Sequence, residues 1–172
     1  MHAVVSLVAQ AGLYVVALVA VTVWLTVPRA DKVAMAVEMV VGLVAVAVLV
    51  RVAGAVHTDP RPFVESPSLR PWFSHAPDNG FPSDHTAVAA VTSFVVVRRR
   101  AVAGVLMLAI TVLIAGARVL AHVHHVQDVV AGGVIGLAAA GLGALAWWAL
   151  HDAAPVRRVS RETASRGSRA AP

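Results

Sequence analysis

Apolar residues run through this chain in five stretches, and polar residues gather in the gaps between them. The stretches are roughly 3–27, 33–56, 83–97, 101–117 and 129–150. A membrane span needs about 20 residues, within a range of about 17–25. The first, second and fifth stretches meet that length. The third and fourth are short, but Arg98, Arg99 and Arg100 between them can snorkel to the headgroups and relieve the mismatch. The pattern predicts an all-α fold, an integral membrane helix bundle of about five transmembrane helices.

Composition agrees. The 172 residues are 59% hydrophobic and 13% charged, about half the charge of a soluble domain. The length suits one membrane-embedded domain, 1–150, followed by a basic tail, 151–172. The absence of Cys excludes a disulfide framework and a thiolate metal site. Arg outnumbers Lys 13 to 1 and Ala and Val dominate, as a G+C-rich coding bias would give. A net charge of +5 would point to nucleic acid in a soluble protein. Here the positive charge sits in short loops and the tail, where topology explains it, and no nucleic-acid partner is expected. Residues 1–27 lack the charged start and small-residue cleavage site of a cleavable signal peptide.

The loops set the orientation. Residues 28–32, 98–100 and those after 150 fall on one side by alternation and hold 10 of the 14 Lys and Arg. The positive-inside rule makes that side cytoplasmic, with the N-terminus outside. Trp24, Trp147 and Trp148 then lie at inner interfaces. Residues 57–82 and 118–128 face outward, and six of the eight His (57, 75, 85, 122, 124, 125) lie in or beside them. The tail 152–172 has no apolar period and reads as disordered, a solvated positive-inside tail that anionic lipid would attract. The outer loop is long for a compact bundle, which points to function. Leu69, Trp72 and Phe73 within it can form an interfacial patch.

The polar residues at the outer side have the makings of a phosphate site. Transfer of a phosphoryl group needs donors for its equatorial oxygens, an in-line nucleophile and an acid for the leaving oxygen. Ser83 and Asp84 follow Pro82 at the start of the third helix, where Ser can cap and free N–H groups can hold phosphate. His85 shares that first turn. Arg118 closes the fourth helix and can aim its fork at phosphate oxygens. His124 and Asp128, four apart, share a helical face if the fifth helix starts early. A carboxylate on one ring nitrogen fixes the tautomer and makes the other a better nucleophile. Arg61 lies between Pro60 and Pro62, a stiff setting for bidentate phosphate binding. His122, His124 and His125 also raise a metal site, but adjacent His seldom converge on one ion and there is no HExxH; no metal and no cofactor are expected. Gly132 and Gly136 form a GxxxG that favours tight helix packing near the site. Glu38, in the inner third of the second span, is expected to be structural or paired.

Arg61-Pro62, then Pro82-Ser83-Asp84-His85, then Arg118-x5-His124-x3-Asp128 resemble the three signature motifs of the type 2 phosphatidic acid phosphatase superfamily. Pro60-Arg61-Pro62-Phe63 and Gly80-Phe81-Pro82-Ser83-Asp84-His85 are most similar to its bacitracin-resistance-type undecaprenyl-diphosphate phosphatases. The resemblance implies that His124 is the nucleophile, forming a phosphohistidine, and that Asp128 orients it. It implies that His85 protonates the leaving group and then activates water. Arg61, Arg118 and Ser83, with Asp84 beside them, would line the phosphate site without a metal. The substrate would be a polyprenyl diphosphate, cleaved to the monophosphate and inorganic phosphate at the outer face of a bacterial plasma membrane. Three positions depart from the pattern. Gly54 stands where the family's first motif opens with Lys, and Arg51, one turn below, is a candidate replacement; His57 or no replacement is the alternative. Asp84 stands where many members have Gly, and Ala117 where many have Ser. Five spans are also one fewer than the family often has. Phosphatidylglycerophosphate, phosphatidate or a polyprenyl-phosphosugar phosphate are alternative substrates. A non-catalytic lipid-phosphate-binding or transport-assisting protein is the alternative class. Oligomeric state is not readable from the sequence.

Overall fold

A computed structural model describes the backbone of residues 1–168 and the side chains of residues 1–151. The chain is all-helical, with α1 at His2–Thr26, α2 at Arg29–Val56, a one-turn α3 at Pro62–Glu65, α4 at Asp84–Val97, α5 at Ala101–Leu120 and α6 at Val126–Ser168. No strand occurs among the described residues. Helices α1, α2, α5 and the segment Val126–His151 of α6 are each long and apolar enough to cross a membrane. The protein is therefore a multi-pass membrane protein. The fourth expected span gains a turn, because Arg118 continues α5 to Leu120 instead of ending it at 117. Side chains of the tail 152–172, expected to be disordered, lie outside those described.

Helix α4 stays short, at 14 residues. It rises about 21 Å, less than the ~30 Å of a hydrocarbon core. It is tolerated because it is the axis of the bundle, packed against α6, α5, α2 and α1. Ala87, Ala89, Val91, Val95 and Val96 are buried on it. Its small and β-branched side chains let the surrounding helices come close. Those helices turn Val and Leu outward, as Val44, Leu106, Val112 and Leu137 show, which is the expected arrangement where the solvent is lipid.

The GxxxG reading holds. A Cβ on Gly132 would lie 2.5 Å from the Ser83 carbonyl oxygen, and one on Gly136 would lie 2.6 Å from that of Ala87. Only glycine permits α6 to seat against α4 at this height, and the contact carries the Ser83 N–H to the Asp128 carbonyl at 3.0 Å.

At the opposite end, Glu38 is fully buried and paired, as expected. Arg98 Nε donates to it at 3.2 Å and Arg99 Nη2 at 2.9 Å. The α4–α5 turn is thereby clamped to α2. Trp24 donates its indole N–H to the Lys32 carbonyl at 3.0 Å beside this end.

At the site end, the loop 57–82 folds over the start of α4. Asn79 organises it, donating to the carbonyls of Gly54 (3.0 Å) and His57 (3.1 Å) and accepting from the N–H groups of Asp59 and Phe81. The Trp72 ring stacks on His2 at 3.9 Å and its backbone N–H donates to the Ala121 carbonyl at 3.2 Å, tying the loop to α1 and to the α5–α6 turn.

Candidate active site

Three segments meet in one cavity of about 430 Å³, lined among others by Arg61, His75, Asp78, Asp84, His85, Arg118 and His124. The α5–α6 turn sets two of them. His122 adopts φ 60, uncommon for a non-glycine residue, and the reversal brings His124 back toward Arg118. Helix α6 begins at Val126, after His124, yet the expected pair forms: His124 Nδ1–H donates to Asp128 Oδ2 at 3.2 Å. The same oxygen accepts the His125 backbone N–H at 2.8 Å. His124 and Asp128 are both buried.

This pairing places the proton on Nδ1 and leaves a lone pair on Nε2. Arg61 Nη1 lies 3.4 Å from that Nε2 and donates to the Val123 carbonyl at 2.6 Å. Burial pushes the His124 pKa below the ordinary value; the Asp128 hydrogen bond opposes this, while the Arg118 and Arg61 charges reinforce it. The ring is thus held neutral, the form in which Nε2 can attack phosphorus.

Both arginines are buried, and the protein holds each at more than one nitrogen. Arg118 Nη1 donates to the Ala9 carbonyl at 3.2 Å, and Nη2 to His75 Nε2 at 3.0 Å. Arg118 Nε is buried with no partner, a donor waiting for an acceptor. Arg61 Nε donates to Asp78 at 2.8 Å. Burial pushes the Asp78 pKa up, but the Arg61 hydrogen bond and charge outweigh it and hold the carboxyl below its usual range.

Ser83 occupies the N-cap position of α4, but its hydroxyl makes no capping bond. It accepts instead from Thr86 Oγ1 at 3.2 Å and is fully buried. Asp84 and His85 occupy the first turn and line the cavity.

Arg51 does not join them. It is exposed and absent from the cavity wall, whereas Val50 and Gly54 of the same helix line it. The reason lies in the loop, which descends onto α2 so closely that a Cβ on Gly54 would sit 3.1 Å from the Phe81 carbonyl oxygen. Position 54 is closely approached by the Phe81 backbone, and Arg51 lies off the cavity wall. His57 is exposed too and packs edge-on against Phe81. The site's positive charge rests on Arg61 and Arg118.

Sequence reasoning missed His75, Asp78 and Asn79 on the cavity wall. Asp78-Asn79-Gly80 is a turn signal that could have flagged a chain reversal, but nothing local shows that it reverses over Arg61. It also missed the layer behind Asp128. Asp59 accepts from His125 Nδ1 at 3.1 Å and from Gln127 Nε2. Asp59, His125 and Asp128 are near enough together to hold a cation. Both donors reach the same oxygen, Asp59 Oδ2, and tie Asp59 to the start of α6.

A neutral, carboxylate-oriented imidazole facing two arginines and a helix N-terminus defines the class: a membrane phosphatase that acts on lipid phosphates. The chain belongs to the PAP2 superfamily, whose family model matches residues 35–152. It is 29% identical over 140 residues to the bacitracin transport permease protein BcrC of Bacillus licheniformis, covering 81% of this chain and 68% of that protein. In structure it is similar to LpxE of Aquifex aeolicus, with TM-score 0.68 and 22% identity over 83% of this chain and 84% of that one. It is also similar to a transmembrane PAP2-type phosphatidylglycerolphosphate phosphatase of Bacillus subtilis, with TM-score 0.59 and 20% identity over 88% and 76%. These two likenesses bear on the fold.

Proposed function

We propose that the protein hydrolyses a polyprenyl diphosphate, undecaprenyl diphosphate in particular, to the monophosphate and inorganic phosphate, recycling a cell-wall lipid carrier. The observation that carries this reading is the His124–Asp128 pair, at 3.2 Å, with Nε2 turned to the Arg61 fork.

The terminal phosphate binds between Arg61 and Arg118, with the free Arg118 Nε and the first-turn N–H groups of α4 completing the clamp. His124 Nε2 attacks phosphorus in line, and Asp128 steadies the imidazolium that forms. His85 protonates the leaving oxygen, then takes a proton from the water that cleaves the phosphohistidine. Ser83 and Asp84 shape the start of α4, with Asp84 exposed on the cavity wall. None of these steps requires a metal.

The lipid tail has a place to go. An apolar groove of about 610 Å³ runs between α1, α2 and α4, lined by Leu13, Met39, Leu43 and Val88 among others. Val88 lies one turn along α4 from His85. The likeness of Pro60-Arg61-Pro62-Phe63 and Gly80-Phe81-Pro82-Ser83-Asp84-His85 to the bacitracin-resistance-type motifs favours the isoprenoid diphosphate over phosphatidylglycerophosphate, phosphatidate or a polyprenyl-phosphosugar phosphate. The positive charge of residues 28–32, 98–100 and the tail supports a site at the outer face of a bacterial plasma membrane, with the C-terminus in the cytoplasm.

The word permease in the relative's name favours a second reading, transport or its assistance. A transporter places its polar residues at midplane on broken helices; here the cavity-lining polar residues lie at one end of the bundle, around a nucleophile. The deciding experiment is phosphate release from undecaprenyl diphosphate, phosphatidate and phosphatidylglycerophosphate in detergent with a chelator present. Preferred turnover of the diphosphate supports the reading. Strict dependence on added metal, or no release from any of the three, overturns it.

A further inference from the structure

His75 has no role in the chemistry above, yet it stands in the middle of the site. Its ring lies 6.4 Å from that of His124, and its Nε2 accepts from Arg118 Nη2 at 3.0 Å. Its Nδ1–H donates to the Ala76 carbonyl at 3.3 Å, which fixes the lone pair on Nε2. The groups that face it are Arg61 and Asp78 from the loop, Arg118 from α5, His124 from the turn and His85 from α4.

An acceptor in a pocket built for anions is an oddity. A fully ionised phosphate repels it, whereas a phosphate that keeps one proton can donate to it. Burial, and then the Arg61 charge, hold the free ring below its ordinary pKa, so it meets the ligand as a lone pair. The Arg118 Nη2–H now spent on His75 is what a phosphate oxygen would take over. The exchange leaves Nε2 free toward the ligand.

We propose that His75 is a substrate-binding residue that selects the monoprotonated form of the terminal phosphate by sharing that phosphate's proton. The proposal rests on the phosphatase reading. The proton arrives as P–O–H and lies between the phosphate oxygen and Nε2, so that the pair is either acid and imidazole or anion and imidazolium. Total charge is the same in both. In this way a site with Gly at position 54 gains a third polar contact to the phosphate without a permanent third cation.

The sign of the pH effect follows. At low pH the proton is present and the contact forms. As pH rises and the bound proton is lost, a lone pair faces an anion and the advantage disappears. The test measures inhibition by methyl phosphate, a monoester whose last proton is lost at about pH 6, competing with a lipid diphosphate, in wild type, His75→Ala and His75→Gln of the full chain. Comparing Ki ratios cancels the ligand's own titration. For His75→Ala the ratio to wild type should be about tenfold near pH 6 and fall toward one near pH 8.5, the loss of one charge-assisted hydrogen bond. The loss should fall on Ki and KM more than on kcat, since His75 neither attacks nor protonates. Gln, whose amide can accept or donate, should keep most of the affinity with no change across that range. An unchanged Ki in His75→Ala, or a ratio equal at both pH values, overturns the proposal. If wild type turns over lipid phosphate and His124→Ala does not, such a result fells only the His75 inference. If wild type neither turns over lipid phosphate nor binds methyl phosphate, the phosphatase reading falls with it.

Discussion

Gly132 and Gly133 are neighbours on α6 with opposite surroundings, and replacing each by Ala separates packing from propensity. At Gly132 the added Cβ would lie 2.5 Å from the Ser83 carbonyl oxygen, 3.2 Å from Thr86 Cβ and 3.3 Å from the Ala87 nitrogen. The first of these is backbone and cannot rotate away, so α4 and α6 must part by on the order of 1 Å, given a normal carbon–oxygen contact of roughly 3.3–3.6 Å. Overpacking of this kind costs about 1–3 kcal/mol. Alanine returns about 1 kcal/mol in helix propensity. The net effect on stability is therefore small, a loss of up to about 2 kcal/mol by these two magnitudes. The effect on catalysis is larger. Ser83 N–H to Asp128 carbonyl, at 3.0 Å, is the strut between the two motifs, and a displacement of 1 Å in a reacting geometry can cost about 10²-fold in rate. At Gly133 nothing lies within 4 Å of the new Cβ, so Ala there should raise stability by up to about 1 kcal/mol and leave turnover unchanged. The assay is kcat for lipid-phosphate hydrolysis beside thermal unfolding, in one detergent. Equal turnover in the two variants would refute the claim that the α4–α6 contact sets the site.

Other outcomes follow from the same geometry. Asp128→Asn keeps the side-chain volume but removes the charge that steadies the His124 imidazolium, so kcat should drop by about 10³–10⁴-fold with little change in Ki for inorganic phosphate. Arg51→Ala should retain wild-type kcat and KM, since Arg51 is exposed and off the cavity wall; a tenfold loss would restore it as the replacement for Lys. Glu38→Ala removes the carboxylate shared by Arg98 and Arg99, of which Arg99 keeps Asp31 at 3.4 Å, and should lower stability by about 1–3 kcal/mol, read as an earlier unfolding midpoint. His75 and His124 are held neutral in the folded protein, with pKa values lowered from the usual 6.5. Their contribution to stability is therefore complete above about pH 6.5 and is lost as pH falls below it, because the unfolded chain binds protons first. The unfolding midpoint should decline on acidification through that range, and the decline should shrink in His75→Gln.

Much of this was legible in the sequence because lipid simplifies the code. Apolar runs gave the spans to within a few residues, and the charged loops broke them where the helices end. The Arg118–His124–Asp128 spacing announced a local pair that forms even though α6 starts two residues after His124. What was hidden lies in the long loop. Whether His75 and Asp78 reach the arginines depends on a fold-back held by Asn79 and Trp72, and such contacts span 17 to 66 residues of sequence. Arg51 failed for a related reason. Helical spacing placed it near Gly54, but the spacing says nothing of the Phe81 carbonyl that lies on that glycine. Ser83 sat where a cap belongs, yet Thr86 and not the backbone took its hydroxyl.

The central claim is that His124 attacks phosphorus, and the direct measurement is rapid-quench trapping with lipid diphosphate radiolabelled in its terminal phosphate. The account predicts label on wild-type protein that is stable to base and lost in acid, as a phosphorus–nitrogen bond is. That label should be absent from His124→Ala. Undiminished label on His124→Ala, or turnover by that variant at the wild-type rate, would contradict it.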